Sequence, residues 1–423
     1  MNSRIAGTRS LPVPSRVAQR ATRLERVLAR ASCAIETAAD SKAIHKFFRH
    51  RLHDSKLSAA FMVRVCLLLA AALLVPSCAR VSTYPHENEP IGSVREVYDG
   101  TLSPQMAVNT FRNIHRLFLS RVVPRSSNPH PLPVSAEPLV NMSFSDQGAA
   151  YSLDEFLDAN HVAGLLVLQH GEVKTECYWL GNTERTRWMS MSLAKSLTST
   201  LIGAALKEGL IASLLDPVTK YVPALAGTAY DGVSVHHVLL MSSGVEWSET
   251  YTDPASDRRR LLEAQISQRP GGALAVMSSL PRAHEPGTHN TYNTGETQIA
   301  AEVLRSALGE PLADHLHERI WQPVGMEADA TWWTESPGGV EIGGSGFSAT
   351  LRDYGYLWWP ATSDAGRRDR SYEGEGIHGQ FLYINPAVDL VIVLWSAHPH
   401  PTGGRAVRES AFFEAVTQRL RAH

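Results

Sequence analysis

Ser192 and Lys195, in the stretch SMSLAKS (190–196), have the residue types and the spacing of a nucleophile and its proton acceptor. Apolar residues recur at 193, 197, 201 and 204/205, which predicts a helix that begins at Ser192 and ends near Gly209. Side chains three positions apart share a helix face. A serine hydroxyl is a weak nucleophile unless a base takes its proton, and lysine is such a base only where burial or a nearby cation lowers its pKa. The alternative is an ordinary polar patch at the start of a helix.

Two later segments contain groups that would complete such a site. Tyr292 lies in a turn-rich loop before a predicted helix, where a phenol can donate, accept or relay a proton. Ile377, His378 and Gly379 are predicted at the start of a strand, where a bare backbone can approach a ligand closely. A backbone N–H from that strand and the N–H of Ser192 would together give two donors to an oxyanion.

Segments near the two ends of the main body have the pattern of antiparallel strands. The runs VAGLLVLQ (162–169) and VKTECYWLG (173–181) predict one hairpin, and GQFLYIN (379–385) with DLVIVLWSA (389–397) predicts a second. Residues 405–423 have the pattern of an amphipathic helix, and mostly helical and loop segments lie between the hairpins. The sequence therefore predicts an α/β (α+β) fold in which both ends form one antiparallel sheet with a helical insertion.

The chain resembles the serine hydrolases of the β-lactamase/penicillin-binding superfamily in three motifs, SMSLAKS, TYNTGETQ (291–298) and GIHGQFLYINP (376–386). It is most similar to the branch of class C-like esterases and 6-aminohexanoate-dimer hydrolases. The likeness extends from about residue 140 to the C-terminus through the stretches LLDPVTKYVPAL, VSVHHVLLMSSGVEWSETYTDPASD and LADHLHERIWQPVGMEADATWW. The resemblance implies a β-lactamase/transpeptidase-like fold, with an antiparallel sheet flanked by helices and a mainly helical subdomain.

The resemblance also implies a reaction, a two-step acyl transfer through an acyl-enzyme with no metal or other cofactor. In this reaction Ser192 is the nucleophile, Lys195 is the general base or its partner, and Tyr292 relays a proton to the leaving group. The backbone N–H groups of Ser192 and Ile377 form the oxyanion hole.

Substrate contacts are implied in the same way, and two motifs depart from the usual pattern. Tyr251 matches a position that contacts the leaving amide, and Asn293, His378 and Gly379 belong to the motifs that line the site.

Many relatives have Tyr-x-Asn in the second motif, whereas here the asparagine comes one place earlier, at Asn293. His378-Gly379 stands where lactam-hydrolysing enzymes carry Lys-Thr-Gly, so a cation that would hold a β-lactam carboxylate is lost. Antibiotic hydrolysis is therefore disfavoured.

These features predict a serine hydrolase that cleaves a small-molecule amide or ester. The first alternative is a cell-wall carboxypeptidase of the D-Ala-D-Ala type, and the second is a catalytically inactive relative that binds peptides. The second alternative rests on residues 351–376, a segment shortened relative to the family. In relatives a helix and further strand material separate the stretch like GFSATLRDYG (346–355) from the one like GYLWWP (355–360). The shortening would remove part of one wall of the site.

The first 140 residues are predicted to lie outside the hydrolase domain, which covers residues 141–423. Residues 62–78 have a basic start, a short apolar core and a VPSC ending, the pattern of a lipoprotein signal peptide whose Cys78 becomes lipidated. Residues 1–61 are interpreted as a gene-call extension or a disordered leader, and residues 79–140 as a tether and lead-in. The protein is thus predicted to be secreted across the inner membrane, as a periplasmic or membrane-anchored lipoprotein.

Composition argues against several other classes of function. The chain of 423 residues is 43% hydrophobic and 19% charged, a globular balance, and its net charge of −2 lacks the basic excess that binds nucleic acid. Of the four cysteines only Cys177 lies in the predicted domain, so no disulfide framework is implied. Arg258, Arg259 and Arg260 are predicted to form an exposed helix face. The expected partner is a small-molecule substrate, with membrane contact only through the predicted lipid anchor; the oligomeric state stays open.

Overall fold

Two sheets organise the folded chain, one built from its two ends and one beside the helical insertion. The computed structural model describes residues 84–350, 358–361 and 363–421. The strands of this part are β1 Ser120–Val123, β2 Ser143–Asp146, β3 Ala149–Ser152, β4 Val162–Gln169, β5 Glu172–Tyr178, β6 Trp188–Met189, β7 Ala330–Trp333, β8 Phe347–Ala349, β9 Trp359–Pro360, β10 Tyr372–Gly376, β11 Gln380–Asn385 and β12 Leu390–Ser396. β2 and β3 form a separate small hairpin.

Helices fill the space between and around the strands. They are α1 Val94–Asp99, α2 Pro104–Arg112, α3 Leu153–Ala159, α4 Leu193–Lys207, α5 Val218–Tyr221, α6 Val235–Leu239, α7 Asp257–Ile266, α8 Gly272–Ser278, α9 Thr294–Leu308, α10 Leu312–Leu316, α11 Gln322–Val324, α12 Asp364–Asp369 and α13 Glu409–Arg421. A π-helical turn, His317–Trp321, joins α10 to α11. Serine side chains cap the starts of α1, α2, α3, α6, α7 and α12, because a helix start leaves backbone N–H groups without partners.

The larger sheet is antiparallel throughout, with its strands in the order β5-β4-β12-β11-β10-β9. β4 pairs with β12, so that Leu165 lies opposite Leu394. Both strands are almost continuously buried, because helices cover both faces of the sheet. This confirms the two predicted hairpins, their union into one sheet and the predicted α/β (α+β) fold class.

Aromatic residues attach the helices to the two faces of this sheet. On one face α3 and α13 pack together, and Phe156 stacks on Phe412 with ring centroids 4.4 Å apart. On the other face lie α1 and α2, where Phe111 meets Trp188 edge-on at 5.8 Å. Trp188 in turn stacks on Trp395 of β12. The N-terminal helices therefore share a core with the strand β6 that leads to Ser192.

The structure corrects the tether predicted over residues 79–140, because residues 94–123 belong to the fold. Val97, Phe111 and Ile114 are fully buried in the core against the sheet, and β1 pairs with β7. α1 and α2 are short, and their apolar faces pack against strands and the helix α7 from distant parts of the chain, which a local reading of the sequence does not reveal. The Pro-rich stretch 124–138 contains no helix or named strand, as predicted.

The N-terminal predictions concern residues that the structure does not describe. The leader 1–61, the signal peptide 62–78 and the lipidated Cys78 all lie outside the described residues and stay predictions. Among the described residues, no helix combines the length and the apolar character needed to cross a membrane.

The second sheet, in the order β1-β7-β8-β6, carries the strand that precedes Ser192. β6 pairs with β8, so that Trp188 lies opposite Ala349. α4 follows directly and packs against α9 over a core of leucine, isoleucine and alanine side chains. The predicted helix is confirmed, because α4 begins at Leu193 with Ser192 as its N-cap residue.

The three consecutive arginines of α7 do not form the exposed face predicted for them. Arg258 and Arg259 are buried, with 1% and 4% of their surfaces exposed, and only Arg260 is exposed. The guanidinium of Arg258 donates to the hydroxyl of Tyr98, and that of Arg259 pairs with Asp99. Both partners belong to α1, the segment that the sequence prediction had left outside the domain, so the burial of these arginines could not be foreseen.

If the N-terminal helices are part of the core, truncation of their buried aromatic residue destabilises the whole domain. We expect Phe111→Ala to lower the free energy of unfolding by about 3–5 kcal/mol, because a buried ring is lost and a cavity remains. The control is Leu119→Ala in the same segment, where the side chain is 52% exposed and the expected change is within about 0.5 kcal/mol. Urea denaturation measures both, and equal small effects would show that this segment is not part of the cooperative core.

Candidate active site

Ser192 lies on a sharp turn between the strand β6 and the helix α4. Met191, the residue before it, has a φ of 48°, a left-handed conformation that costs free energy for a residue with a Cβ. The turn leaves Ser192 half-buried at the wall of a cavity of about 420 Å³. Ser192 is the N-cap residue of α4, and the N–H groups of Leu193, Ala194 and Lys195 that follow it donate to the carbonyls of Ser190, Met191 and Ser192.

Lys195 lies one turn further along α4 and is buried, with 2% of its surface exposed. Its Nζ donates hydrogen bonds to Ser192 Oγ at 2.8 Å and to the carbonyl oxygen of Gly344 at 3.1 Å. Burial disfavours the ammonium form and lowers the pKa of Lys195 from 10.5 to about 7. Lys195 is therefore available near neutral pH as a neutral amine, the form that can take a proton from Ser192.

Two charged residues of the helical part act on the pKa of Lys195 in opposite directions. Burial is the largest influence; after it, the carboxylate of Glu249 raises this pKa and the guanidinium of Arg258 lowers it. Glu249 lines the cavity, where its carboxylate accepts from the Trp247 indole N–H at 2.5 Å and the Thr294 N–H at 3.0 Å. The sequence-based prediction missed Glu249 and assigned Arg258 to an exposed helix face. The one signal for Glu249 was an acidic residue inside the stretch WSETY.

Tyr292 brings a third polar side chain to Ser192. Its side chain lines the cavity together with Ser192, and Lys195 Nζ lies 5.1 Å from the centroid of its ring. Burial, and after it the carboxylate of Glu249, raises the pKa of Tyr292, so the phenol keeps its proton at neutral pH. Trp359 stacks on the ring with centroids 5.7 Å apart. The structure thus brings together Ser192, Lys195 and Tyr292, as the sequence predicted.

Ile377, His378 and Gly379 form the turn between β10 and β11, not the start of a strand as predicted. His378 and Gly379 have φ values of 65° and 82°, and left-handed residues of this kind close a tight hairpin. Ile377 and Gly379 line the cavity beside Ser192. In the described part of the chain, the N–H groups of Ser192 and Ile377 donate to no backbone carbonyl, which leaves them available to an oxyanion.

The four predicted substrate-binding residues fall into two pairs. Tyr251 and Gly379 line the cavity. Asn293 is fully buried, and its side chain accepts the Glu296 N–H at 3.1 Å, so the structure assigns it to the cap of α9 rather than to the substrate surface. His378 is buried behind the turn and faces two backbone carbonyl oxygens instead of the cavity. These two predictions fail because neighbours of cavity residues along the chain point in other directions.

The remaining walls of the cavity come from the loop 398–405 and from Trp359. Arg405 in this loop forms a salt bridge of 3.1 Å with Glu375, a second pair of charged residues that sequence reasoning missed. Trp359 belongs to β9 at the edge of the larger sheet, so the shortened segment still supplies a wall at this point. An adjoining cavity of about 280 Å³ shares Ser192 with the first.

A comparison with protein families agrees with this geometry. Residues 153–345 match the family described as Beta-lactamase. This match confirms the resemblance to the serine hydrolases of the β-lactamase superfamily that the motifs predicted.

Individual relatives support the same placement. A 6-aminohexanoate-dimer hydrolase from Paenarthrobacter ureafaciens is 29% identical over 303 residues, which cover 59% of this chain and 76% of that protein. A protein from Escherichia coli (strain K12), provisionally assigned as a D-alanyl-D-alanine carboxypeptidase, is 25% identical over 112 residues, and the match spans 26% of each chain. A solved structure from Bacillus anthracis, provisionally assigned as a 6-aminohexanoate-dimer hydrolase, has a TM-score of 0.68 and 21% identity over 79% of this chain and 98% of that one. This last likeness establishes the β-lactamase/transpeptidase-like fold.

The buried amine of Lys195 makes stability depend on pH. The unfolded chain holds this proton up to the ordinary pKa of 10.5 and the folded chain up to about 7, so stability increases as the pH rises between these values. At pH 7 we expect Lys195→Met to raise the free energy of unfolding by on the order of 2 kcal/mol, because no charged form has to be desolvated. The variant should also show a flatter pH dependence.

The matched control for this prediction is Lys207→Met, at an exposed position of the same helix, for which we expect no change. Thermal and urea denaturation at several pH values between 7 and 10 would measure the effect. A Lys195→Met protein that is less stable than wild type at pH 7 and has an unchanged pH slope would contradict the inferred pKa.

Proposed function

We propose that this protein is a serine hydrolase that cleaves a small-molecule amide or ester through an acyl-enzyme. The observation that carries the proposal is the contact of 2.8 Å between the buried Lys195 Nζ and Ser192 Oγ at the cavity wall. A neutral amine at this distance can accept the serine proton as the oxygen attacks. The serine hydrolases of the Beta-lactamase family and the likeness to a 6-aminohexanoate-dimer hydrolase support the same reaction.

The first half-reaction forms the acyl-enzyme. Ser192 Oγ attacks the carbonyl carbon of the substrate and transfers its proton to Lys195 Nζ. The carbonyl oxygen becomes an oxyanion that accepts hydrogen bonds from the N–H groups of Ser192 and Ile377. The bond from the carbonyl carbon to the leaving nitrogen or oxygen then breaks. Tyr292 gives its phenol proton to the leaving group and recovers one from Lys195, so that charge balances.

The second half-reaction returns the enzyme to its starting state. Water attacks the acyl carbon and gives a proton to the Lys195 amine, directly or through Tyr292. The bond between the acyl carbon and Ser192 Oγ then breaks, and Oγ recovers its proton. One water is consumed, and one carboxylic acid and one amine or alcohol are released. No step requires a group that the site lacks.

The shape of the site supports a substrate with atoms on both sides of the scissile bond. The larger cavity extends from Ser192 towards Arg405 and Glu375, which gives this side a polar end. The adjoining cavity extends from Ser192 past Leu239 and Met241, and Asn290 and Glu375 also line it. An amide or ester with one arm in each cavity fits this arrangement.

A second candidate function rests on Arg405. Its guanidinium lines the cavity and could hold the terminal carboxylate of a peptide, as a carboxypeptidase of the D-Ala-D-Ala type would require. The relative from Escherichia coli provides a limited precedent in sequence. Since Arg405 already pairs with Glu375 at 3.1 Å, a substrate carboxylate would have to compete for it, and we therefore place this function second.

A fluorophosphonate probe tests whether Ser192 is an activated nucleophile. We expect one adduct per wild-type chain, on Ser192, and none on Ser192→Ala. Lys195→Ala should react about 10²–10⁴ times more slowly, because the proton acceptor is gone. Ser199→Ala, a change of a serine on the same helix that is not at the cavity, should label as wild type does. Intact mass spectrometry of the purified full chain measures all four.

The outcome also separates the alternatives. Labelling followed by turnover of short amides or esters supports the proposed function, whereas labelling with turnover of D-Ala-D-Ala peptides alone favours the carboxypeptidase. A folded wild-type protein that takes no label is an inactive relative, and the proposal then fails.

Activity should depend on pH through the amine of Lys195. We expect kcat/KM to rise as Lys195 loses its proton, with a midpoint near pH 7. Glu249→Gln should move this midpoint to lower pH, because the carboxylate that favours the charged amine is removed. Glu246→Gln, an exposed carboxylate three positions away, is the control and should leave the midpoint unchanged. A shift of the Glu249→Gln midpoint to higher pH would contradict the inferred electrostatics.

A further inference from the structure

We propose that His378 is a positioning residue, which holds the Ile377 N–H in the oxyanion hole by fastening the turn 377–379 to helix α1. The inference rests on the proposed function, because an oxyanion forms only if Ser192 acylates. It assigns a role to the residue that occupies the place of the missing lysine in the third motif. It also gives the N-terminal helices a part in the reaction, although they do not line the cavity.

The imidazole of His378 is buried behind the turn, with 2% of the residue exposed. Its Nε2 lies 2.9 Å from the carbonyl oxygen of Val97 in α1, and its Nδ1 lies 2.8 Å from the carbonyl oxygen of His398. Phe111 of α2 packs against the ring with centroids 4.9 Å apart. One side chain therefore contacts both N-terminal helices and the chain just beyond β12.

The carbonyl of Val97 is suited to receive this contact. It belongs to the last turn of α1, where carbonyl groups lack partners within the helix. Its one backbone donor in the described part of the chain is the N–H of Gly100, at a long distance of 3.4 Å. Burial lowers the pKa of His378, and a neutral imidazole donates from one ring nitrogen only. The contact with Val97 is the one that we assign to positioning, and the variants below test it separately from the contact with His398.

Backbone hydrogen bonds make the turn rigid enough to transmit this contact to Ile377. The His378 N–H donates to the carbonyl of Pro401 at 3.1 Å, and the His398 N–H donates to the carbonyl of His378 at 3.2 Å. Gly379 could not be replaced by a larger residue, because a Cβ there would lie 2.6 Å from the imidazole of His398. Since Ile377 immediately precedes His378 and lines the cavity, a displaced imidazole moves the Ile377 N–H.

Gln380 links the same turn to β6, the strand that precedes Ser192. Its side-chain amide donates to the carbonyl oxygens of His378 at 3.0 Å and Ser396 at 2.8 Å, and its oxygen accepts the indole N–H of Trp188 at 2.9 Å. Trp188 lies in β6, four residues before Ser192. The distance between the two oxyanion donors, the N–H groups of Ser192 and Ile377, thus depends on a continuous set of contacts. Among the described residues of the turn, only His378 contributes a side-chain hydrogen bond to α1.

The closing experiment compares His378→Asn with wild type and with a matched control. Asparagine tolerates a left-handed backbone and keeps a donor close to the position of Nδ1, but it is too short to reach Val97. We expect kcat to fall by about tenfold or more. This loss should be smaller than the loss of about 10²–10³ in kcat that follows complete removal of an oxyanion donor. KM should change by less than about twofold. His170→Asn is the same change at another left-handed histidine, in the β4–β5 turn, and should leave both constants unchanged.

A second variant separates positioning from general damage. Glutamine at position 378 can place its amide near the position of Nε2 and reach Val97, so His378→Gln should recover part of the lost kcat despite a backbone that suits it less well. Rates are expressed per active site, from the amount of fluorophosphonate adduct, so that an unfolded fraction does not enter the comparison. If kcat per site is unchanged in His378→Asn, or if His378→Gln is no better than His378→Asn, the inference is wrong.

The same measurements distinguish this inference from the proposed function. A wild-type protein that labels and turns over, with His378→Asn unaffected, overturns the role of His378 and leaves the proposed function intact. A folded wild-type protein that neither labels nor turns over overturns the proposed function, and the role of His378 falls with it.

Discussion

The rest of this structure depends on one constraint: the amine of Lys195 is buried away from water, in contact with the hydroxyl of Ser192. Lys195 gives up its hydration, and Ser192 Oγ and the Gly344 carbonyl are the polar atoms that replace it. A charged amine is so unfavourable in such a place that the group releases its proton near neutral pH instead. The packing of α4 against α9, with the chain at Gly344 closing over the amine, therefore sets the chemistry of the site as well as the stability of the fold.

The site is assembled from two halves of the molecule, and the N-terminal helices contact both. Ser192 and Lys195 come from the helical part, and Ile377 comes from the larger sheet. α1 contacts the first half through Arg258, whose guanidinium acts on the pKa of Lys195, and the second half through His378. A segment with no residue in the cavity thereby influences it through charge and hydrogen bonding. The side chains that anchor this segment, Val97, Phe111 and Ile114, are fully buried.

The third motif shows how a cation can be lost at one position and supplied by another. His378 occupies the place of a lysine, but its side chain turns away from the cavity, so it contributes no charge there. Arg405 enters the cavity from the loop after β12 and pairs with Glu375 on β10. The cavity therefore contains a cation paired with a carboxylate, at a different position from the lysine of the lactam-hydrolysing pattern.

The sequence by itself determined the hairpins, the helix from Ser192, the fold class and the pairing of Ser192 with Lys195, because each of these follows from periodicity or spacing within a short stretch. Only the tertiary structure decided the burial of Arg258, the inward direction of Asn293 and His378, and the place of the N-terminal helices. Each of these depends on what packs against a segment from a distant part of the chain, which no local pattern records. The chemistry of Lys195 depends on both levels. The spacing in the sequence places its amine beside the Ser192 hydroxyl, and burial by remote segments lowers its pKa so that it can act as a base.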